Sequence, residues 1–383
     1  MPLNYLQIKP QMAQYVAAAS LHQQELEEKL SLALKLLNTC VKNQKAAAEQ
    51  IREFLGTQSP RPRSGIPSDE KVNLAKDCPP NNSQYQITAS DGSQIAPSAH
   101  DEVSVGLINT SLISYSPGSG KSPSIIVNSS FLKDAAGRIE MGSISEDMIS
   151  MKRDLEEIKI LSDLGPKGSL PVIALGDGPL ELFHQPRMNK TYAGIFAEYR
   201  TAIQEMAGER FILAGYTDKP QAGLITKMLS ISGEKEVDLS DLEDIVLFNH
   251  ILLSGQRSAI FELFSASSEL YMEDIKLYFF YLQVGSDGHP WTVRVEIPAA
   301  VAGDQKKVDL LHDALLSQCR LMGSRPYPYI LHRAHEEALV GLDEKEQLIQ
   351  SLAVAMRKEK VHLDGKSYKQ TAKDLDTRTR MGK

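Results

Sequence analysis

The sequence predicts an α/β fold, a mixed sheet with flanking helices, preceded by a long helical arm. Three observations predict it. Apolar residues from about Gln11 to Leu55 recur at helical spacing. Beyond them, β-branched runs and helix-period segments follow in the order three strands, helix, strand, helix, strand. Two of those strands lead to an Asp followed by Gly, at Asp91-Gly92 and Asp177-Gly178.

The arm comes first. Met12, Tyr15, Val16, Leu21, Leu30, Leu34, Leu37, Val41, Ile51 and Leu55 mark its face, and Ala-rich stretches favour the helix. It reads equally as a core hairpin or as an arm that packs on a second copy or a partner. A polar, Pro-rich stretch, Thr57 to Ser83, reads as a linker. Strands follow at Tyr85–Ala89, Val103–Tyr115 and Ser124–Val127. Met148, Met151, Leu155, Ile158 and Leu161 give Ser145–Leu164 the period of a helix, stopped by Gly165-Pro166-Lys167-Gly168. The nearly all-apolar Leu170–Leu175 is a strand, Tyr192–Ala207 a helix and Arg210–Ala214 a strand. Gln221–Leu229 and Asp241–Leu253 look helical. Ile275–Val284 and Trp291–Ile297 form a hairpin around Ser286-Asp287-Gly288, and Lys307–Leu321 and Tyr329–Lys358 are closing helices. The domains expected are an arm over 1–56, a linker over 57–83, a main domain over 84–345, and a C-terminal helix with a basic tail over 346–383.

Composition narrows the class. With 383 residues and 42% hydrophobic content the chain can bury a substantial core. No apolar run is long enough to span a membrane, and the N-terminus lacks a secretory pattern. Cys40, Cys78 and Cys319 are odd in number and far apart, which fits neither a disulfide framework nor a zinc cluster and suits a reducing, cytoplasmic setting. The net charge of −7 counts mildly against a nucleic-acid binder, but residues 357–383 hold nine Lys/Arg against four Asp/Glu.

A carboxylate at the end of a buried strand is costly unless something positive offsets it. Two of them in one domain suggest a shared counter-ion, most simply a divalent metal. If their strands are neighbours, Asp91 and Asp177 converge at one sheet edge, with Gly92 and Gly178 letting the backbone turn. A lone Asp-Gly is otherwise a turn starter. Glu157 falls beside Leu161 at the border of the helix's apolar stripe, so it can lean into such a site; Glu156 points further round. The other reading of both is a solvated face. His332 and His335 share a helix face and suit a metal or a phosphate, or a structural role. Three acids and a late His resemble the ligand set of a two-metal nuclease.

Arg294 and Glu296 lie on one face of a strand. They pair with each other or hold a phosphate and a metal. In the loop after the strand at 210–214, Tyr216 is placed to stack on a base and Lys219 to meet a phosphate, unless this is an ordinary turn. Gly118-Ser119-Gly120-Lys121-Ser122 is a decoy. A P-loop needs Gly where Tyr115 stands, and it joins strand to helix rather than strand to strand.

In order and spacing, Asp91-Gly92-Ser93, Gly176-Asp177-Gly178-Pro179-Leu180, Gly215-Tyr216 to Pro220, Arg294-Val295-Glu296-Ile297-Pro298 and Tyr327-Pro328 to Ala334-His335-Glu336 resemble the NurA-domain nucleases. The resemblance runs from about Tyr85 to Val340, roughly two-thirds of the chain. It implies an RNase H-like core and a manganese-dependent nuclease that trims DNA ends and cuts single strands. It also implies a homodimer working with HerA, a hexameric DNA-translocating ATPase, in double-strand break end resection. Asp91 and Asp177 match the family's metal-binding acids, His335 its late His, and Glu157 its helix-borne Glu, with Glu156 adjoining. The expectation is a Mn²⁺- or Mg²⁺-dependent DNase with Asp91, Glu157, Asp177 and His335 at its centre and Tyr216, Lys219, Arg294 and Glu296 toward the substrate. A non-catalytic adaptor that docks a motor ATPase is the rival. A phosphotransferase on a related fold, which would bind ATP, is the third reading.

Overall fold

Helical periodicity at the start of the chain becomes two helices, α1 (Tyr5–Lys42) and α2 (Gln44–Thr57), separated at Asn43. The structure, a computed structural model, describes residues 3–81, 83–134, 137–140, 144–163, 168–182, 190–233, 237–271, 275–286, 288–361 and 363. The Asn4 side chain caps α1 by accepting from the Gln7 amide. After the helices come β1 (Ser64–Pro67), β2 (Ala75–Lys76), β3 (Gln86–Ile95), β4 (Leu107–Tyr115), β5 (Ser124–Phe131), α3 (Glu146–Asp163), β6 (Val172–Asp177), α4 (Lys190–Glu205) and β7 (Phe211–Thr217). Then follow α5 (Leu224–Ile231), α6 (Asp244–Ile251), β8 (Arg257–Ser258), β9 (Phe261–Phe264), β10 (Leu277–Gln283), β11 (Thr292–Pro298), α7 (Ala299–Ala302), α8 (Gln305–Leu321), α9 (Tyr329–Ala338) and α10 (Leu342–Lys358). Asp287 of the expected hairpin turn, Gly165-Pro166-Lys167 of the helix stop and the basic tail from Lys366 lie outside the described residues.

The chain forms two compact units, and β7 contributes to both. The first unit holds residues 1–82, 178–181 and 214–328. Its strands β1, β9, β10, β11 and the end of β7 pair in that order, each antiparallel to the next. Its core is aromatic: Phe248 stacks on Tyr281 with ring centres 4.4 Å apart, and Phe261 on Phe279 at 5.7 Å. α1 buries Ala33, Leu37 and Cys40, whereas Tyr5, Leu6, Met12, Tyr15, Val16 and Leu21 stand exposed. The stretch read as a linker contains β1 and β2. Gly65 of β1 leaves room for Ile225 of α5, whose Cδ1 would lie 2.8 Å from a Cβ there.

The second unit holds residues 83–177, 182–213 and 329–383. Its strand order is β5-β4-β3-β6, followed by the start of β7, where the Val172 amide donates to the Arg210 carbonyl. β3, β4 and β5 are antiparallel, but β3 and β6 are parallel. This is the RNase H-like arrangement, with the helix α3 between the third and fourth strands of the unit. β3 extends further than its sequence suggests. It continues through Asp91 and Gly92 to Ile95, paired throughout with β4, so Gly92 lies within a strand rather than at a turn.

The helix expected over Tyr329–Lys358 is two helices, broken at 339–341. The cause is polar. Asn109 Nδ2 and Ser93 Oγ both donate to the Ala338 carbonyl, at 2.8 and 2.5 Å, and the Val340 amide donates back to Ser93 Oγ at 3.2 Å. Strand side chains thus satisfy the end of α9 in place of another helical turn. Among the described residues no helix is long and apolar enough to cross a membrane.

One buried ion pair in the first unit makes a clear prediction. Arg257, fully buried, forks onto Glu70 with contacts of 2.8 and 2.6 Å. Burial alone would raise the Glu70 carboxyl. The Arg257 guanidinium, with the Ile260 amide and Lys76, outweighs burial and holds it below the usual glutamate range. The pair therefore stabilises above the unfolded carboxyl's range, and its contribution is lost as pH falls through the lowered value. Arg257→Ala should cost about 3–5 kcal/mol at neutral pH in urea unfolding, with a smaller difference from wild type in acid. An unchanged urea midpoint at neutral pH would refute this.

Candidate active site

Hydrogen bonds from β3 reveal which way its side chains face. Ser90 Oγ donates to the Glu157 carbonyl of α3 at 2.9 Å, and Ser93 Oγ reaches Ala338 of α9. Successive strand residues face opposite sides. Ser90 and Gly92 therefore face α3, while Asp91 and Ser93 face α9. Two helices bracket the same few residues of one strand.

Asp91 is buried, and both of its oxygens are engaged. Oδ1 accepts from the Gly92 amide at 2.8 Å, and Oδ2 lies 2.7 Å from His335 Nδ1. His335 sits on α9, whose position the Ser111 Oγ bond to the adjacent Ala334 carbonyl fixes at 2.6 Å. Its ring is 59% exposed despite that bond, so an edge remains open to solvent. His332, one turn earlier, turns instead to Glu336 on its own helix at 3.5 Å. The two histidines therefore do not act as a pair.

The parallel register explains Asp177. Ser90 is opposite Gly176 in the last β3–β6 pair, so the next residue along each strand is Asp91 and Asp177. Adjacent strands run about 4.8 Å apart, which makes these two aspartates neighbours. Asp177 is exposed at the end of β6.

Glu157 comes from the other side. Its side chain is 14% exposed, whereas Glu156 is exposed, so Glu157 is the one turned inward. It reaches β3 because Gly92 has no side chain. A Cβ at Gly92 would fall 2.5 Å from Glu157 Oε1 and 2.8 Å from Arg153 Cγ. Gly92 is a window through which Glu157 approaches the strand that carries Asp91. Burial raises the Glu157 carboxyl well above the usual glutamate range, and Asp154, Asp91 and Asp177 add to the rise. The Arg153 guanidinium, with Nε 3.1 Å from Glu157 Oε1, opposes it without winning.

The remaining expected site residues belong to the first unit. Arg294 and Glu296 are buried and pair with each other, Nη2 to Oε1 at 3.1 Å, while Glu296 Oε2 accepts from the Glu181 amide at 3.2 Å. Burial pushes the Glu296 carboxyl up despite Arg294. Tyr216 is also fully buried. Its hydroxyl lies 3.8 Å from Cys319 Sγ, and its ring meets Tyr327 edge-on at 5.6 Å. A ring with no exposed face has nothing to stack on a base, and the Arg294–Glu296 pair is core structure. Lys219 is exposed, in a loop whose Asp218 accepts from Trp291 Nε1 at 2.9 Å.

The donors in the second unit are hard carboxylate oxygens and one imidazole, a set that suits Mg²⁺ or Mn²⁺. Among the described residues no three such side chains close into a metal cage as they stand. Three carboxylates nonetheless gather there with one arginine beside them, and burial first, the neighbouring acids second, raise the Glu157 carboxyl. That charge deficit fits a bound cation. Sequence reasoning missed Arg153, Ser90 and the window role of Gly92. The one available signal was Arg153 four residues before Glu157, on the same helix face.

Comparison with known proteins agrees with this architecture. A NurA domain profile matches residues 85–340. The crystal structure of the NurA nuclease from Sulfolobus solfataricus superposes with a TM-score of 0.52 at 15% identity, over 76% of this chain and 90% of that one. The catalytic domain of human Endonuclease V is a looser match, with a TM-score of 0.32 at 14% identity over 71% of this chain and 85% of that one. LC9-RNase H1 is looser still, with a TM-score of 0.23 at 11% identity over 38% of this chain and 67% of that one. No curated protein sequence matches.

The state of Glu157 is testable in metal-free protein. A raised carboxyl favours the fold below the unfolded glutamate range, and that contribution is lost as pH rises toward the raised value. Glu157→Gln removes the loss. With chelator present, the variant should be more stable than wild type by about 1 kcal/mol or more at mildly alkaline pH, and the difference should shrink in acid. Calorimetric melting across pH reads this directly. A variant that melts lower than wild type at alkaline pH would contradict it.

Proposed function

This chain belongs to the NurA-domain family, and from that membership we propose that it is a metal-dependent deoxyribonuclease that hydrolyses phosphodiester bonds at DNA ends and in single strands. The observation that carries the reading is the register that makes Asp91 and Asp177 neighbours, with Glu157 reaching the same strand through Gly92 and His335 held on Asp91. Clustered acids of this kind are costly to a fold and serve no purpose in a scaffold. That weighs against a non-catalytic adaptor. A phosphotransferase has no support, because the one Gly-rich candidate joins two strands.

Asp91, Glu157 and Asp177 would hold the ion, with His335 beside them. A divalent ion there, Mn²⁺ or Mg²⁺, supplies Lewis acidity toward a phosphoryl oxygen and makes a bound water acidic. The chain's residues do the rest. Asp91 accepts from His335 Nδ1, which fixes the ring and leaves Nε2 as the atom for a phosphate oxygen or a proton. Ser90 and Ser111 hold the backbones of α3 and α9 at the functional residues. Lys219, exposed, offsets phosphate charge along the strand.

The family resemblance extends the reading to a homodimer, to a hexameric HerA-like ATPase as partner, and to end processing at double-strand breaks in the cytoplasm. Exposed apolar residues on the first half of α1 offer a face for either contact.

Two variants test the site with end-labelled single- and double-stranded DNA in Mn²⁺, Mg²⁺ or chelator. Asp177→Ala should lower cleavage by on the order of a thousandfold or more with melting preserved, because it removes a ligand and relieves repulsion. Full activity in that variant would end the proposal. Gly92→Ala should lower cleavage by at least about tenfold and cost the fold about 1–3 kcal/mol, because the intruding Cβ meets Glu157 Oε1 and the Cγ atoms of Arg153 and Glu157, so both side chains must shift. Equal cleavage by this variant and wild type would show that the window is not needed.

A further inference from the structure

We propose that Arg153 is a displaceable internal counter-ion of the carboxylate cluster, and that its guanidinium takes a nucleic-acid phosphate once a divalent cation occupies those carboxylates. The inference rests on the metal-site reading above and adds a phosphate-positioning residue to it.

The geometry separates Arg153 from an ordinary helix pair. Its Nε lies 3.1 Å from Glu157 Oε1, yet that N–H is aligned on no acceptor. Among the described residues its one hydrogen bond runs from Nη2 to Asp154 Oδ1 at 3.0 Å. A guanidinium carries donors for a two-pronged grip on a phosphate, and here most of them are unspent. Its stem packs over Gly92, where an added Cβ would crowd Cγ at 2.8 Å. The charged end is therefore delivered to the same point on β3 as Glu157. The side chain is 31% exposed, enough to swing outward.

Local helix stabilisation does not account for it. An acid placed four residues before a base is the better order on a helix, and Arg153 precedes Glu157 in the weaker one, worth about a few tenths of a kcal/mol at most. Charge accounts for it better. Arg153 is the cation that opposes the acids around Glu157, and it feels Asp91 as well as Asp154 and Glu157. A divalent ion against Glu157 repels a guanidinium 3.1 Å from the same oxygen. The arginine then leaves with its donors free, at the edge of the site where a phosphate must come. Lysine in its place would keep the charge and lose the fork.

The test uses the full chain and two readouts that do not depend on turnover. Mn²⁺ binding is measured by calorimetry without DNA. Binding of a short fluorescein-labelled single strand is measured by anisotropy in Ca²⁺. Arg153→Gln should bind Mn²⁺ about tenfold more tightly and the strand about tenfold more weakly. Arg153→Lys should keep near-wild-type Mn²⁺ affinity and recover only part of the strand affinity. Melting of each variant confirms folding, and the lysine variant keeps the test open if the glutamine variant is unstable. If wild type takes up Mn²⁺ and Arg153→Gln takes it up no more tightly, or binds the strand equally well, the role of Arg153 is refuted and the metal site stands. If wild type takes up no Mn²⁺, the metal-site reading itself fails and this inference fails with it.

Discussion

Parallel pairing of β3 with β6 is the constraint around which the second unit is arranged. It makes neighbours of two aspartates that are far apart in sequence. Like charges at that spacing repel, and a nearby third carboxylate compounds the repulsion. The surrounding features answer that problem. His335 donates to Asp91, the Gly92 amide does the same from within the strand, and Arg153 leans on Glu157. The Glu157 carboxyl stays well above its ordinary range, chiefly through burial and further through Asp154, Asp91 and Asp177. On the proposed reading, a cation among these carboxylates would offset their charge.

The helices that carry Glu157 and His335 are docked by polar bonds, not by apolar contact alone. Ser90 grips the carbonyl of Glu157 itself, and Ser111 grips the carbonyl next to His335. Ser93 and Asn109 close the end of α9 at Ala338. These bonds fix the backbone at or beside the functional residue, so the side chains start from defined positions. They also explain the buried polar side chains of Asn109 and Ser111 in β4, which would otherwise be an expensive choice for a strand interior.

Much of this was legible in the residues. β-branched runs announced β4 and β5, the apolar run announced β6, and the five-residue helical stripe announced α3. That the Glu157 side chain turns inward and Glu156 outward was legible from the place of Glu157 beside Leu161. What escaped had weak local signals. β1, β2, β8 and β9 have four residues or fewer, too short for alternation to register. The break between α9 and α10 has one local signal, Gly341 at the start of α10, and otherwise depends on Ser93 and Asn109, remote in sequence. Gly92 read as a turn because Asp-Gly usually is one. Its real reason, a helix side chain needing its space, exists only in three dimensions. Tyr216 reads as part of a polar loop, yet it lies in β7, and burial beside Cys319 and Tyr327 decides its role.

Two Arg–Glu pairs among the described residues share a separation of 3.1 Å, and their surroundings differ. Arg294 and Glu296 lie 3.1 Å apart with almost no exposure, on one strand, and Glu296 is held further by a backbone amide. Moving either would strand a buried charge, so that pair is confined to structure. Arg153 and Glu157 are also 3.1 Å apart, but the arginine is 31% exposed. Breaking this contact leaves the arginine a route to water and leaves the glutamate among acids that a cation can hold. Distance alone therefore does not separate a structural ion pair from an exchangeable one. What each partner can turn to after separation does, and only in the Arg153–Glu157 pair does each have an alternative.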